Sequence, residues 1–289
     1  MNANYIIKPF NECKCEKCNK DGFIIIENSA VKCDCRKKYE DEMRTCDKLL
    51  KSGLLNENSN YEDFKKLYDY EFIQYKGIDE NGNIKRIQKF VDEFDKVKYK
   101  EVPHNILDDN GNVIRTEYSK ISVGNPFKSL HCYVYGEQGT QKSTVLKGML
   151  TKLAKKGKEV YYIFCKDLID IIIDSDRDEN AKKLLDYIIN VDVLVIDEFE
   201  EQRTNLWQSG YKERSLIVWI KNRLEVSRKS TWFVSNATIE EMKNGKFGEL
   251  FGDVIERETL YGRFEFKDKY VNSLSKQDIA EKMKFIWDD

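Results

Sequence analysis

The run Gly136-Glu137-Gln138-Gly139-Thr140-Gln141-Lys142-Ser143 is spaced to wrap a row of phosphate oxygens. A glycine-rich turn that opens a helix points backbone N–H groups at an anion, a lysine there reaches the β- and γ-phosphates, and the hydroxyl after it ligates magnesium. Further along, Val193-Leu194-Val195-Ile196-Asp197-Glu198 is an apolar run closed by two acids. A buried strand with that ending holds magnesium and polarises water. The pair points to a nucleoside triphosphate, with Gly136, Gly139, Thr140, Gln141, Lys142, Ser143, Thr144 and Asp197 around it, Ser143 and Asp197 on Mg2+, and Glu198 acting on water. One position departs from the usual loop. Glycine normally stands directly before the lysine, and Gln141 puts a side chain where glycine adopts the backbone freely.

Cysteine supplies a second chemistry. Six of the eight cysteines fall before residue 47. Such clustering does not suit a disulfide framework spread over a secreted fold, and paired thiols favour metal. Cys15-x-x-Cys18 precedes a Lys20-Asp21-Gly22 turn and the β-prone run 23–26, and Cys33-Asp34-Cys35 follows. A hairpin that joins the pairs offers four soft ligands, Cys15, Cys18, Cys33 and Cys35, with the tetrahedral reach that suits structural Zn2+. Cys13 and Cys46 are left over, and Cys13 can replace Cys15. A catalytic zinc usually includes histidine, and neither His104 nor His131 is near the cluster.

These groups need elements to hold them. From 129 onward, apolar strands expected over 130–135, 160–164, 193–196 and 231–234 alternate with helices over 142–155, 167–174, 178–190 and 215–226. That order indicates an α/β fold: a parallel sheet covered on both faces, with its ligand at the carboxyl ends of the strands. A charged helical pattern spans 36–55 and a polar break follows at 56–60. The units are therefore an amino-terminal zinc-binding segment (1–55), a linker and insertion (56–128) and the core (129–289). Within the insertion, 84–94 has helical spacing, and Asp108-Asp109-Asn110-Gly111 between strand-like flanks reads as an extra hairpin.

The 289 residues carry 49 basic and 51 acidic side chains, a net charge of −2, so the chain as a whole has no basic footprint for tight, non-specific nucleic-acid binding. No apolar stretch approaches the roughly 18 residues a membrane span needs. The expectation is a soluble, cytoplasmic protein with no membrane contact.

With Trp219-Ile220-Lys221-Asn222-Arg223 and Trp232-Phe233-Val234-Ser235-Asn236 added, the two nucleotide motifs resemble those of the AAA+ ATPases that load replicative helicases, the DnaC/DnaI type. The cysteine pairs are similar to the zinc-binding amino-terminal domain of such loaders, and the Gly-Thr-Gln-Lys loop is similar to that of phage-encoded relatives. The resemblance covers Cys15 to Cys35 and about 129–269. It implies a P-loop AAA+ three-layer fold with a small zinc-binding domain. It makes Asn236 the sensor that orients the attacking water and Arg257 an arginine finger acting in the neighbouring subunit. Arg223 is a second finger candidate, although a structural ion pair suits it better. The carboxyl-terminal sensor arginine is missing or displaced to Arg263, since Asp268-Lys269-Tyr270 is followed by Val271-Asn272.

The activity implied is hydrolysis of ATP to ADP and phosphate, weak without partners, by a phage or mobile-element loader of a replicative DNA helicase. The partners implied are that helicase, single-stranded DNA and further copies of the chain in a homo-oligomer or a spiral on the helicase. Arg203, Trp207, Tyr211 and Lys212 offer cations and aromatics for single-stranded DNA, against a solvated loop as the plain alternative. Two rival readings are an IstB-like transposase-helper ATPase, whose amino-terminal part is helical, and a non-hydrolysing adaptor that keeps nucleotide as a structural ligand.

Overall fold

The computed structural model describes residues 6–7, 10, 15–18, 22–27, 29–75, 79, 81–107, 113–199, 210–244 and 248–267. Two antiparallel pairs come first in the chain: β1 (Phe23–Ile26) with β2 (Ser29–Lys32), and β3 (Lys98–Leu107) with β4 (Val113–Gly124). Five further strands are β5 (His131–Gly136), β6 (Val160–Phe164), β7 (Val193–Asp197), β8 (Ser230–Val234) and β9 (Arg263–Phe266). They form one sheet in the order β6-β7-β8-β5-β9, with every neighbouring pair parallel. β7 and β8 are buried along their whole length. Strands without a polar face need cover on both sides.

Two apolar layers provide it. On one face, α1 (Asp34–Lys51), α2 (Tyr61–Tyr68), α3 (Asn83–Glu93) and α4 (Lys142–Lys155) pack Cys46, Leu49, Phe64, Phe90 and Leu146 against Val134, Val195 and Trp232. On the other, α5 (Cys165–Asp174), α6 (Glu179–Asn190), α7 (Gly210–Lys221), α8 (Ile239–Lys243) and α9 (Gly248–Glu258) surround Tyr133, Leu194, Ile196 and Phe233. The result is the three-layer α/β arrangement that the alternation of apolar strands and helices implies.

Sequence pattern and structure coincide at α4 and β6 and differ elsewhere at the ends. β7 runs one residue past the expected strand and includes Asp197, and α5 begins at Cys165 rather than at 167. The helix expected over 215–226 starts at Gly210 and passes into a π-helical segment, Asn222–Ser227. There Arg223 is fully buried and donates to Thr231 Oγ1 and to the carbonyls of Ile188, Ile189, Val191 and Ser230, all within 3.1 Å. Its partners are carbonyls and a hydroxyl. The ion pair expected from sequence is replaced by a hydrogen-bond cage that ties α6 to β8, and burial pushes its pKa down. The hairpin expected around 108–111 is β3–β4, and its turn lies outside the described residues.

The polar break at 56–60 lies between elements that share one core: Leu49 and Leu55 before it and Phe64 after it belong to the same buried cluster. Asn60 caps α2 by accepting the N–H groups of Glu62 and Asp63, while the Asp63 carboxylate accepts the N–H of Asn60. Among the described residues, no helix is long and apolar enough to cross a membrane.

Candidate nucleotide site and cysteine cluster

The turn between β5 and α4 is built by three residues with positive φ. Gly136 (φ 139°) has no room for a side chain, because a Cβ there would lie 2.0 Å from the Phe266 carbonyl oxygen of β9. Gly139 (φ 87°) makes the next bend. Gln141 (φ 63°, ψ 17°) then enters α4 in the left-handed conformation, where a non-glycine residue carries strain of about 1–3 kcal/mol. The departure from the usual loop thus falls on a position whose geometry glycine favours.

Lys142 follows at the first position of α4 and is buried. Its Nζ donates to the carbonyls of Gly136 and Glu137 at 2.8 and 2.9 Å, to Thr140 Oγ1 at 3.3 Å and to Asn236 Oδ1 at 2.9 Å. The sheet order explains the last contact. β8 lies between the loop strand β5 and the acid strand β7, so the residues just beyond it emerge between lysine and acids. Gln138, Gly139, Thr140, Gln141, Lys142, Ser143, Thr144, Asp197, Glu198, Ser235 and Asn236 line one open cleft of about 370 Å³ at the carboxyl ends of the strands. That volume falls in the range of small-molecule sites.

At the acid end, Asp197 is buried and Glu198 is exposed, with φ 54°. The left-handed turn at Glu198 swings the chain back so that the Phe199 N–H donates to the Val234 carbonyl at 2.9 Å. Asp197 Oδ1 accepts the N–H of Glu198 at 2.8 Å, and Asp197 Oδ2 accepts the Tyr162 hydroxyl. Burial and the adjacent Asp197 carboxylate hold the Tyr162 phenol far above its ordinary pKa. Sequence reasoning missed Tyr162, which reads as one more strand residue; the signal was a phenol in the strand that pairs with the acid strand.

This residue set fits a magnesium nucleotide. Ser143 and Asp197 supply hard oxygen donors at one cleft edge, and the opening of α4 supplies N–H groups and the Lys142 ammonium for phosphate. Arg257 does not line the cleft. It is exposed at the end of α9, 2.8 Å from Glu258 Oε1 and 3.0 Å from Glu225 Oε1 of the π-helical segment. Arg263 turns to Glu256, whose carbonyl accepts from Nη2 at 3.3 Å.

The thiols of Cys15, Cys18, Cys33 and Cys35 gather with all sulfurs within 4.8 Å of one another. The Cys15–Cys33 and Cys18–Cys35 sulfurs are 3.6 and 3.3 Å apart. Sulfurs at tetrahedral zinc, 2.3 Å from the metal, are spaced similarly, so the donor set fits Zn2+. A backbone hydrogen bond at Lys17 and the Cys33 thiol pull the Cys15 pKa down to about 7, toward the thiolate a metal needs. Cys33 is also the N-cap residue of α1 and makes no side-chain cap bond, while its N–H donates to the Gly22 carbonyl at 2.9 Å and closes the hairpin. Cys46 is not part of this set: it is fully buried on α1, and burial pushes its thiol up to about 12. Cys13, Arg203, Trp207 and residues 268–289 lie outside the described residues, as does the side chain of Tyr211.

Nucleotide loop, acid pair and inserted strand give this chain a P-loop type of three-layer α/β fold with a parallel five-stranded sheet. No protein-family model matches the chain, and no curated protein matches it. Among solved structures it is similar to the crystal structure of DnaI at 14% identity, covering 72% of this chain and 92% of that one, with a TM-score of 0.45. It is similar to the DnaC helicase loader at 18% identity, 71% and 99% coverage and a TM-score of 0.43. AMPPCP-bound DnaA from Aquifex aeolicus is similar at 16% identity, 53% and 45% coverage and a TM-score of 0.39, so the chain spans under half of that protein.

Proposed function

We propose that the chain is an ATP-dependent loader of a replicative DNA helicase onto single-stranded DNA, encoded by a phage or mobile element. The observation that carries the ATPase part is the convergence of Lys142, Asn236, Asp197 and Glu198 on one cleft. Lys142 and the loop N–H groups bind the triphosphate, Ser143 and Asp197 hold magnesium, Glu198 accepts a proton from the attacking water, and Asn236 orients that water. Bound magnesium supplies charge neutralisation at the phosphates.

The loader part rests on the amino-terminal lobe. The β1–β2 hairpin leaves Phe23, Ile25, Ile26 and Val31 exposed beside the four thiols, an apolar surface suited to a protein partner. We assign 1–55 to helicase contact, 56–128 to linker and insertion, and 129–289 to the motor. We assign Arg257, exposed and outside its own cleft, to the cleft of a neighbouring copy.

The strained Gln141 supports one rival, in which the nucleotide is a structural ligand only. Turnover with and without single-stranded DNA and helicase separates the two: stimulated hydrolysis supports the loader, and binding without turnover under every condition supports the adaptor. Recovery of a helicase in a pull-down tests the partner, and recovery of a transposase in its place favours the transposase-helper reading.

A further inference from the structure

The Tyr162 hydroxyl is the one side-chain donor recorded on the Asp197 carboxylate among the described residues, and it comes from a different strand. β6 pairs with β7 so that Tyr162 lies opposite Val195 and Phe164 opposite Asp197. Residues two apart on a strand share a face, so Tyr162, Phe164, Val195 and Asp197 all face α4, and a tyrosine is long enough to reach its diagonal neighbour. The ring is buried and packed on two sides: Lys147 Nζ of α4 lies 4.5 Å from its centroid, and the Phe164 ring meets it edge-on at 5.6 Å. The Tyr162 backbone N–H donates to the Ser52 carbonyl at 2.8 Å.

With Oδ2 accepting a hydrogen bond from the phenol O–H and Oδ1 accepting one from the Glu198 N–H, the Asp197 carboxylate cannot rotate without losing a hydrogen bond. Each oxygen keeps a further lone pair.

We infer that Tyr162 is a positioning residue that sets the Asp197 carboxylate for the magnesium nucleotide, an inference that rests on the nucleotide reading of the cleft. Outer-shell partners of metal ligands characteristically change metal affinity by 10- to 100-fold. Tyr162→Phe removes the hydroxyl and keeps the ring, its contact with Lys147 and its backbone bond to Ser52.

The test uses the full chain with Mn2+ as the metal probe and a non-hydrolysable ATP analogue. Free Mn2+ is followed by electron paramagnetic resonance, and analogue affinity is measured in EDTA. Tyr162→Phe is expected to keep metal-free analogue affinity within about twofold of the parent while weakening Mn2+ binding to the complex roughly tenfold. Added to Asp197→Asn, it is expected to cause little further loss, because the hydroxyl acts through that carboxylate. Parent-like Mn2+ affinity in Tyr162→Phe, or equal additional loss in the Asp197→Asn background, overturns the inference. A parent protein that binds neither analogue nor Mn2+–analogue overturns the nucleotide reading itself, and this inference with it.

Discussion

The Nζ of Lys142 lies 2.9 Å from Oδ1 of Asn236, although 94 residues separate them in sequence. That contact joins the loop, which reads triphosphate, to the end of the strand inserted between loop and acids. A nucleotide entering the cleft competes for Lys142 with Asn236 and with the Gly136 and Glu137 carbonyls. In the proposed reading, an ammonium that turns to phosphate would free the Asn236 amide to take a water, which would couple binding and water placement through this one hydrogen bond.

Lys142→Ala is expected to abolish measurable nucleotide binding, because it removes the buried cation that the loop is wrapped around. Glu198→Gln is expected to keep binding and to lower turnover by roughly 10²–10⁴, the usual worth of a positioned proton acceptor. Equilibrium binding beside steady-state hydrolysis decides. Equal loss of binding in both variants contradicts the separate roles.

Gln141 adopts φ 63° at the entry to α4. Gln141→Gly relieves left-handed strain of about 1–3 kcal/mol and adds about 1 kcal/mol of unfolded-chain entropy, so it should be neutral to mildly stabilising. Thermal denaturation reads the stability, and turnover should stay level or rise. A fall in both assigns the Gln141 side chain a contact that the loop depends on.

The nucleotide loop, the acid pair, the cysteine set and the parallel sheet were legible because each is written in local spacing. The α4 and β6 boundaries were readable for the same reason, since capping and strand length are short-range. The partners of Arg223, the donor on Asp197 and the membership of α1 in the core were not. Leu49 and Phe64 lie on opposite sides of a polar break, and Tyr162 meets Asp197 only because β6 and β7 pair. Pairing partners are tertiary information, and no spacing along the chain carries them.

Gly53 shows how closely α1 is fitted to the site. Its φ is 72°, and a Cβ there would lie 2.6 Å from the Tyr162 carbonyl oxygen. Gly53→Ala should destabilise the fold by about 1–3 kcal/mol through backbone strain and that clash. Chemical denaturation measures it, and unchanged stability shows that the α1 terminus can shift off β6.

The purified protein should carry about one zinc per chain. Substituting Cys18 and Cys33 with serine should remove the metal and increase amide exchange in the first turns of α1, which opens at Cys33, while nucleotide affinity stays within about twofold. Metal analysis and hydrogen exchange report the two effects. Full zinc occupancy in the double variant refutes the ligand set.

His131 at the start of β5 is buried, its Nδ1 has no hydrogen-bond partner, and burial lowers its pKa to about 4 from 6.5, opposed by Glu258 and aided by Arg223. Between those values the unfolded chain binds the proton and the folded chain does not. Stability is therefore complete above about pH 6.5 and falls as pH drops toward 4, by on the order of 3 kcal/mol. His131→Met should flatten the slope between pH 6.5 and 5, above the main carboxylate titrations. An unchanged slope assigns it to other groups.

Arg257 makes two exposed ion pairs, with Glu225 and Glu258, and such pairs contribute about 0–1 kcal/mol. Arg257→Ala should consequently leave stability almost untouched, and any large loss of turnover must come from chemistry rather than folding. If Arg257 serves a neighbouring cleft, activity per chain should climb with protein concentration, and Arg257→Ala should remove that rise. Mixing Arg257→Ala with Glu198→Gln chains should then recover part of the activity that neither has alone, because some mixed interfaces pair an intact arginine with an intact acid. No recovery, where native mass spectrometry shows that mixed assemblies form, makes Arg257 a surface residue.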